Sequence, residues 1–252
     1  MIALSLIMLT TGCFAQNDAE PGSDAVPGNR TALITGANRG IGLELARQYA
    51  ANGWQVIGTA RKPDTADDLR ELDVRILQLD VTDPQSVDRL AADLAGEPID
   101  LLINNAGILS PFRKLTDVDF DDIARALAVN TIGPMRVTRA LLPNMVAGDG
   151  KTIVHITSGL GSIANNTGGG YYGYRESKAA LNMFNRSLSA ELRGDGFICV
   201  VVHPGWVQTD MGGANAALTT EQSVSGIRAV ISGLEPSDTG TFWNYDGEPL
   251  PW

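Results

Sequence analysis

Tyr174 and Lys178 stand four residues apart in the stretch Tyr171-Tyr-Gly-Tyr-Arg-Glu-Ser-Lys178. The residues that follow (Ala179, Ala180, Leu181, Met183, Phe184, Leu188, Ala190, Leu192) recur at helical spacing and include many strong helix formers. On a helix, i and i+4 share a face, so a phenol and an ammonium can sit side by side. A free tyrosine titrates near ~10, and a fixed ammonium beside it favours the phenolate. Lowering that value by about three units takes about 4 kcal/mol and yields a phenol able to give or take a proton near neutrality. The same spacing also arises by chance as an exposed surface pair, and Tyr171 with Arg175 makes a second such pair in the same stretch. The rest of the chain decides between these readings, because proton transfer needs a cofactor and a group to hold the electrophile.

A place for a cofactor lies near the start of the folded region. Thr31-Ala-Leu-Ile-Thr35 reads as a short apolar strand, followed by Gly36-Ala-Asn38-Arg39-Gly40-Ile41-Gly42 and a helix from about Ile41 to Ala51. Glycines at 36, 40 and 42 permit a tight turn and close approach of backbone to a phosphate. The helix start offers free N–H groups and a positive dipole end to a pyrophosphate. The spacing G-x-x-x-G-x-G differs from the G-x-G-x-x-G of many dinucleotide sites. The next strand, Trp54 to Thr59, runs into Ala60-Arg61-Lys62 with no acid before Asp64. An acid here would bind the ribose 2′-OH of NAD, whereas arginine accommodates the 2′-phosphate of NADP. Arg61 and Arg39 therefore favour NADP(H) over NAD(H), the alternative being solvated loop charges.

Further along, the residues predict a helix over 64–72, a strand over 74–79 and a helix from Pro84 to about Ala95 capped by Asp83. Asp80, beside Val81, is either a receiver for the adenine amino group or an ordinary turn aspartate. A strand from Ile99 to Ile103 ends in Asn104-Asn105-Ala106-Gly107. The small residues let backbone pass close to a cofactor, and the amides can tie strand ends together.

Taken together, Thr35-Gly36-x-x-x-Gly40-x-Gly42, Asn104-Asn105-Ala106-Gly107, Tyr174-x-x-x-Lys178 and Pro204-Gly205 occur in an order and at intervals that resemble the short-chain dehydrogenase/reductase family. The resemblance covers about residues 31–252, in the family's single-domain branch. It implies an α/β, Rossmann-like, doubly wound and mostly parallel seven-stranded sheet with helices on both faces. Alternating strand and helix patterns point the same way. Within the family, Tyr174-Arg-x-Ser-Lys178, His203-Pro-Gly-Trp-Val-x-Thr-Asp-Met-Gly-Gly213 and Thr241-Phe-Trp-Asn-Tyr-Asp-Gly247 resemble the C-factor and sniffer-type carbonyl reductases.

The resemblance assigns roles. Ser158, after the strand 151–157, matches the serine that holds the substrate oxygen, with Thr157 and Ser162 weaker matches. Tyr174 matches the acid/base tyrosine and Lys178 its partner. Tyr171 is excluded because its i+4 residue is Arg175, which cannot replace the family lysine. Asn130, on a helix expected from about Asp119 to Met145 and bent near Gly133-Pro134, matches an asparagine that organises a relay water. Its alternative is a helix asparagine bonding a neighbouring carbonyl. Gly36, Asn38, Arg39, Gly40, Ile41, Gly42, Arg61, Asp80, Val81, Asn105, Ala106, Gly107, Tyr174, Lys178, Pro204, Gly205, Val207 and Thr209 are the expected cofactor contacts. Val207 would act through its backbone, Thr209 would bond the amide or pyrophosphate, and Gly212-Gly213 would permit a flap. Trp206 and Met211 are pocket-wall candidates, with ordinary packing the competitor. The implied reaction is reduction of an aldehyde or ketone to an alcohol with NADPH. The alternatives are an NADP(H)-sensing or signalling protein without turnover, and an NAD-dependent alcohol dehydrogenase. A homodimer through the helices near 119–145 and 171–193 is also implied.

The 252 residues are 44% hydrophobic, ample for one domain with a sizeable core. A net charge of −10 without a basic patch excludes nucleic acid as an expected partner. His155 and His203 fall on strands and have no companion ligands, so no metal site is expected. Residues 1–15 form an apolar leader too short to span a membrane as a helix, and residues 16–30 read as a flexible tether. The leader ends Thr-Gly-Cys13, which resembles a lipoprotein signal, although no Lys or Arg precedes it and Leu9 is one position too far from Cys13. Export, with a lipid on Cys13 or with cleavage after Ala15, is favoured over a cytoplasmic location with an incidental leader. Membrane contact is expected only through a retained leader or a lipidated Cys13. Cys199, in a buried-looking strand, reads as core packing.

Overall fold

The computed structural model describes residues 30–252; the leader, nearly all of the tether, and Cys13 lie outside the described residues. Seven strands form one parallel sheet. They are β1 (Thr31–Ile34), β2 (Gln55–Ala60), β3 (Arg75–Gln78), β4 (Leu101–Asn104), β5 (Thr152–Ile156), β6 (Ile198–His203) and β7 (Phe242–Asn244). Their spatial order is β3-β2-β1-β4-β5-β6-β7, and every neighbouring pair is parallel. The sheet is thus wholly parallel where the family resemblance predicted a mostly parallel one.

Parallel strands covered on both faces must be apolar at nearly every position, with successive side chains entering different cores. The central strands do this. Ala32 and Ile34, Leu101 and Ile103, Val154 and Ile156, and Val200 and Val202 face one core. Leu33, Leu102, Ile153 and Cys199 face the other. The first core is closed by α1 (Gly40–Ala51) and α7 (Thr220–Ser232), through Leu45, Tyr49, Val224 and Ile227. The second is closed by α3 (Pro84–Asp93), α5 (Gly133–Ala147) and α6 (Tyr174–Leu192), through Leu90, Val137, Leu141 and Leu188. Burial raises the Cys199 thiol to about 12, in keeping with a packing residue.

Local signals account for most boundaries. Asp83 caps α3 by accepting from Gln85 N at 2.9 Å, and Thr219 and Gln222 bond reciprocally at the start of α7. Two expectations change. The helix predicted over 64–72 is a 3₁₀ turn, Pro63–Thr65, followed by the single turn α2 (Asp67–Arg70); Arg70 Nη1 donates back to the carbonyls of Pro63 and Asp64 and ties the two turns together. The long helix from Asp119 is divided into α4 (Phe120–Leu127), a π-helical turn over Ala128–Ile132 and α5. The break falls where Gly133 meets Val81, so closely that an added Cβ would lie 2.8 Å from its side chain, and where Pro134 offers no N–H.

The chain passes from β1 outward to β3 and then returns to place β4 on the other side of β1. That reversal opens a crevice at the carboxyl ends of the strands, where ligands bind in folds of this kind.

Candidate active site

A cleft of about 620 Å³ occupies this crevice, within the range of small-molecule sites. Its floor is the glycine turn. Gly36 and Gly40 have φ of +66° and +55°, a region that favours glycine. Gly42 is required for a different reason: a Cβ there would lie 2.3 Å from the Gly36 carbonyl oxygen and 2.5 Å from Asn105 Nδ2. No side chain caps the start of α1, so its N–H groups remain available to an anion. Asn105 Nδ2 donates to the carbonyls of Thr35 and Gly36, and Thr35 Oγ1 accepts from the backbone N–H groups of Asn105 and Ala106. The turn is thereby tied to the end of β4. Asn104 instead faces the second core, where it meets Thr138 and His155.

Asn38, Arg39, Ile41, Arg61, Asp80, Val81, Ala106, Gly107, Tyr174, Lys178, Pro204 and Thr209 all line the cleft with the three glycines and Asn105. Asn130, Ser158, Gly205 and Val207 do not. Gly205 packs against Leu218 and Tyr245, and Val207 is buried and bridged to Leu218. Arg39 has an unforeseen partner: its Nη1 lies 3.0 Å from Asp210 Oδ2, and both side chains are exposed. Asp80 accepts from the Thr82 hydroxyl at 2.6 Å and the Thr82 N–H at 2.9 Å. Those bonds, the hydroxyl first, and the nearby Arg61 charge hold its carboxyl below the ordinary range against a desolvation that opposes them.

Tyr174, Ser158 and Lys178 are 7%, 8% and 5% exposed, drawn together from α6 and the end of β5. Ser158 starts a short 3₁₀ turn, Gly159–Gly161, and its Oγ accepts from Leu160 N at 3.1 Å, leaving the hydroxyl proton free to donate. Burial pushes the Tyr174 phenol above its ordinary pKa, and the Ser158 hydroxyl opposes that rise without cancelling it. Lys178, brought down to about 8 by burial, donates to the Ile156 carbonyl at 2.8 Å and lies 5.9 Å from the phenol ring centre. The expected lowering of the phenol by a fixed ammonium is therefore not what the folded chain shows; desolvation is the larger effect here.

Asn130 is fully buried in the π turn. Its Oδ1 accepts from Ile108 N, and its Nδ2 donates to Ile108 O and to Ser177 Oγ, at 2.8 to 3.0 Å. Both amide protons are used, so the side chain has no donor left for a water. Tyr171 does not start the helix at all. It precedes α6 in a left-handed conformation (φ +52°) and packs edge-on against Phe112, while Arg175 bonds the carbonyls of Gly169 and Gly170. Of the two pocket-wall candidates, Met211 lines the cleft and Trp206 does not; Trp206 is exposed and its indole N–H is bonded to Gly212 O at 2.8 Å. Sequence reasoning did not assign site roles to Ser177 or Asn182; both lie on the buried face of α6 at helical intervals from Tyr174 and Lys178, which is the signal that marks them. Among the described residues, no group of three or more His, Cys, Asp or Glu could hold a metal.

A parallel doubly wound sheet, a glycine turn at its switch point and a buried Ser-Tyr-Lys group together define a class. The chain belongs to the short chain dehydrogenase family of oxidoreductases, whose pattern matches residues 30–219. Similar proteins include the C-signal of Myxococcus xanthus, 50% identical over 162 residues that span 64% of this chain and 98% of that one. The structure of carbonyl reductase Sniffer of D. melanogaster is 36% identical, covers 89% of this chain and 100% of its own, and superposes with a TM-score of 0.84. The NADPH-bound carbonyl reductase from chicken fatty liver is also 36% identical, with 89% and 95% coverage and a TM-score of 0.84.

Proposed function

We propose that this protein is an NADPH-dependent reductase that converts an aldehyde or ketone to an alcohol, with Tyr174 as general acid. The observation that carries the reading is the convergence of Ser158, Tyr174 and Lys178, all buried, beside the glycine-turn cleft. The nicotinamide, when bound, supplies the hydride. Ser158 and Tyr174 donate hydrogen bonds to the substrate oxygen, and the Tyr174 proton passes to that oxygen as negative charge develops on it. Lys178 stabilises the phenolate left behind, which desolvation would otherwise disfavour, and holds the nicotinamide ribose hydroxyls. Asn130 fixes Ile108 and Ser177, and its part in a proton relay would be to order these neighbours, since its amide protons are committed. In the reverse direction Tyr174 acts as base.

The preference for NADP(H) is supported by Arg61 and Arg39 at the cleft rim and by the absence of an acid at the end of β2. The Arg39–Asp210 pair is exposed and weak, so a 2′-phosphate can replace the carboxylate. A signalling or NADP(H)-sensing role without turnover is kept as a second reading because of the likeness to the C-signal protein. Oxidation of an alcohol with NAD is disfavoured by the same two arginines. We also propose export through residues 1–15, with either a lipid on Cys13 or cleavage after Ala15, which fractionation and mass measurement of the mature N-terminus distinguish. Homodimerisation through α4, α5 and α6 fits the exposure of Phe120, Met135 and Met183 on them and is tested by sedimentation.

The deciding experiment is titration of the full chain with NADPH and NADH, then NADPH oxidation against a panel of aldehydes, ketones and quinones. Tight NADPH binding with turnover that Tyr174→Phe abolishes is the expected result. Binding with no turnover across the panel would favour the sensing role.

A further inference from the structure

Helix α6 carries Tyr174 and Lys178, and one turn further along the same face comes Asn182, 3% exposed. Its amide reaches two places at once. Oδ1 accepts from Thr157 Oγ1 at 2.7 Å, and Nδ2 donates to the Gly161 carbonyl at 3.2 Å. Thr157 immediately precedes Ser158, and Gly161 ends the short turn that follows it. Gly161 also lies directly on α6, where an added Cβ would come within 2.8 Å of Lys178 Cβ and 3.0 Å of its carbonyl carbon. The segment that bears the Ser158 hydroxyl is therefore bracketed, before and after, by bonds to the helix that bears the phenol and the ammonium.

Two hydroxyls must meet one substrate oxygen, and a misplacement of about 1 Å can cost about 10²-fold in rate. The contacts need one acceptor and one donor from a single short side chain, which an amide supplies. A leucine of similar size would leave both the Thr157 hydroxyl and the Gly161 carbonyl unpaired in the interior, with the attendant desolvation cost.

We propose that Asn182 is a positioning residue for Ser158, its amide fixing the Ser158 turn to α6 and so setting the separation of the Ser158 and Tyr174 hydroxyls. The proposal rests on the reductase reading above. Asn182 is buried with its amide oxygen and nitrogen engaged by Thr157 and Gly161, so it acts through Ser158 rather than on substrate or cofactor.

The test compares kcat, KM and NADPH Kd for the wild type, Asn182→Leu, Thr157→Val, Ser158→Ala and the Asn182→Leu/Ser158→Ala pair. Asn182→Leu should lower kcat about 10- to 100-fold with NADPH Kd within about threefold. In the Ser158→Ala background the same change should cost less than about threefold, because the serine it serves is gone. Thr157→Val removes one of the two bonds and should give a smaller kcat loss with the same dependence on Ser158, which keeps the test intact if the leucine variant fails to fold. An equal loss in both backgrounds, or an unchanged kcat, overturns the proposal. If the wild type binds NADPH but reduces nothing, the reductase reading fails separately. Crystal structures of the wild type and variants then decide the geometric claim: displacement of Ser158 from Tyr174 by about 1 Å or more upholds it, and an unmoved Ser158 overturns it.

Discussion

Tyr174 sits where its own ionisation is disfavoured; in the proposed reaction its proton is drawn off by the substrate oxygen rather than released beforehand. Tyr174→Phe should reduce kcat by at least about 10²-fold and leave NADPH affinity within a few-fold, as read by initial rates and fluorescence titration. At the rim, Arg61→Ala should raise the Kd for NADPH about tenfold or more, the worth of a charge-assisted hydrogen bond, with little change for NADH. An equal loss for both nucleotides would remove the 2′-phosphate from its role. Asp210→Asn frees Arg39 from its exposed pair and should tighten NADPH a few-fold at most, again without effect on NADH.

Among the elements, the glycine turn and the π turn do the positioning. Gly42 faces backbone and a committed amide rather than a side chain that can swing away. Gly42→Ala should therefore weaken NADPH and NADH alike and cost about 1–3 kcal/mol of stability, seen as a lower Tm with and without nucleotide. Helix α6 is the element on which the site depends most: it carries the phenol, the ammonium, Ser177 against Asn130 and Asn182 against the Ser158 turn. The segment 205–213, expected as a flap, is folded on itself by Trp206 to Gly212 and by Gly212 to Thr209 bonds.

For the whole molecule, His155 and His203 are the only histidines. Burial holds His155 at about 3, with the Lys178 charge adding to it. It holds His203 at about 4, with Asp246 opposing. Unfolded, each binds a proton near 6.5, so between those values the unfolded chain carries more protons and stability falls as pH falls. Urea melts from pH 7 to pH 5 should show a shallower loss for a His155→Gln/His203→Gln variant than for the wild type. Lys178, at about 8 against 10.5, contributes a gain in stability as pH rises through that interval, by the same sign.

Much of this was legible from residue order alone. Strand and glycine-turn chemistry is local: an apolar run, a turn that favours glycine and a helix start following it are read over a dozen residues, which is why the glycine-turn cleft and the α6 pair were recognisable. The assignment of Ser158 and Asn130 needed the family resemblance, since an isolated serine or asparagine carries no periodic signal. Only the tertiary structure decided the rest, because those outcomes depend on groups far apart in sequence. Arg39 is paired by an aspartate 171 residues away; Tyr171 is removed from the helix by a left-handed turn packed against Phe112. The ionisation of Tyr174 follows from how deeply the fold buries it at the cleft, a property that i+4 spacing does not contain.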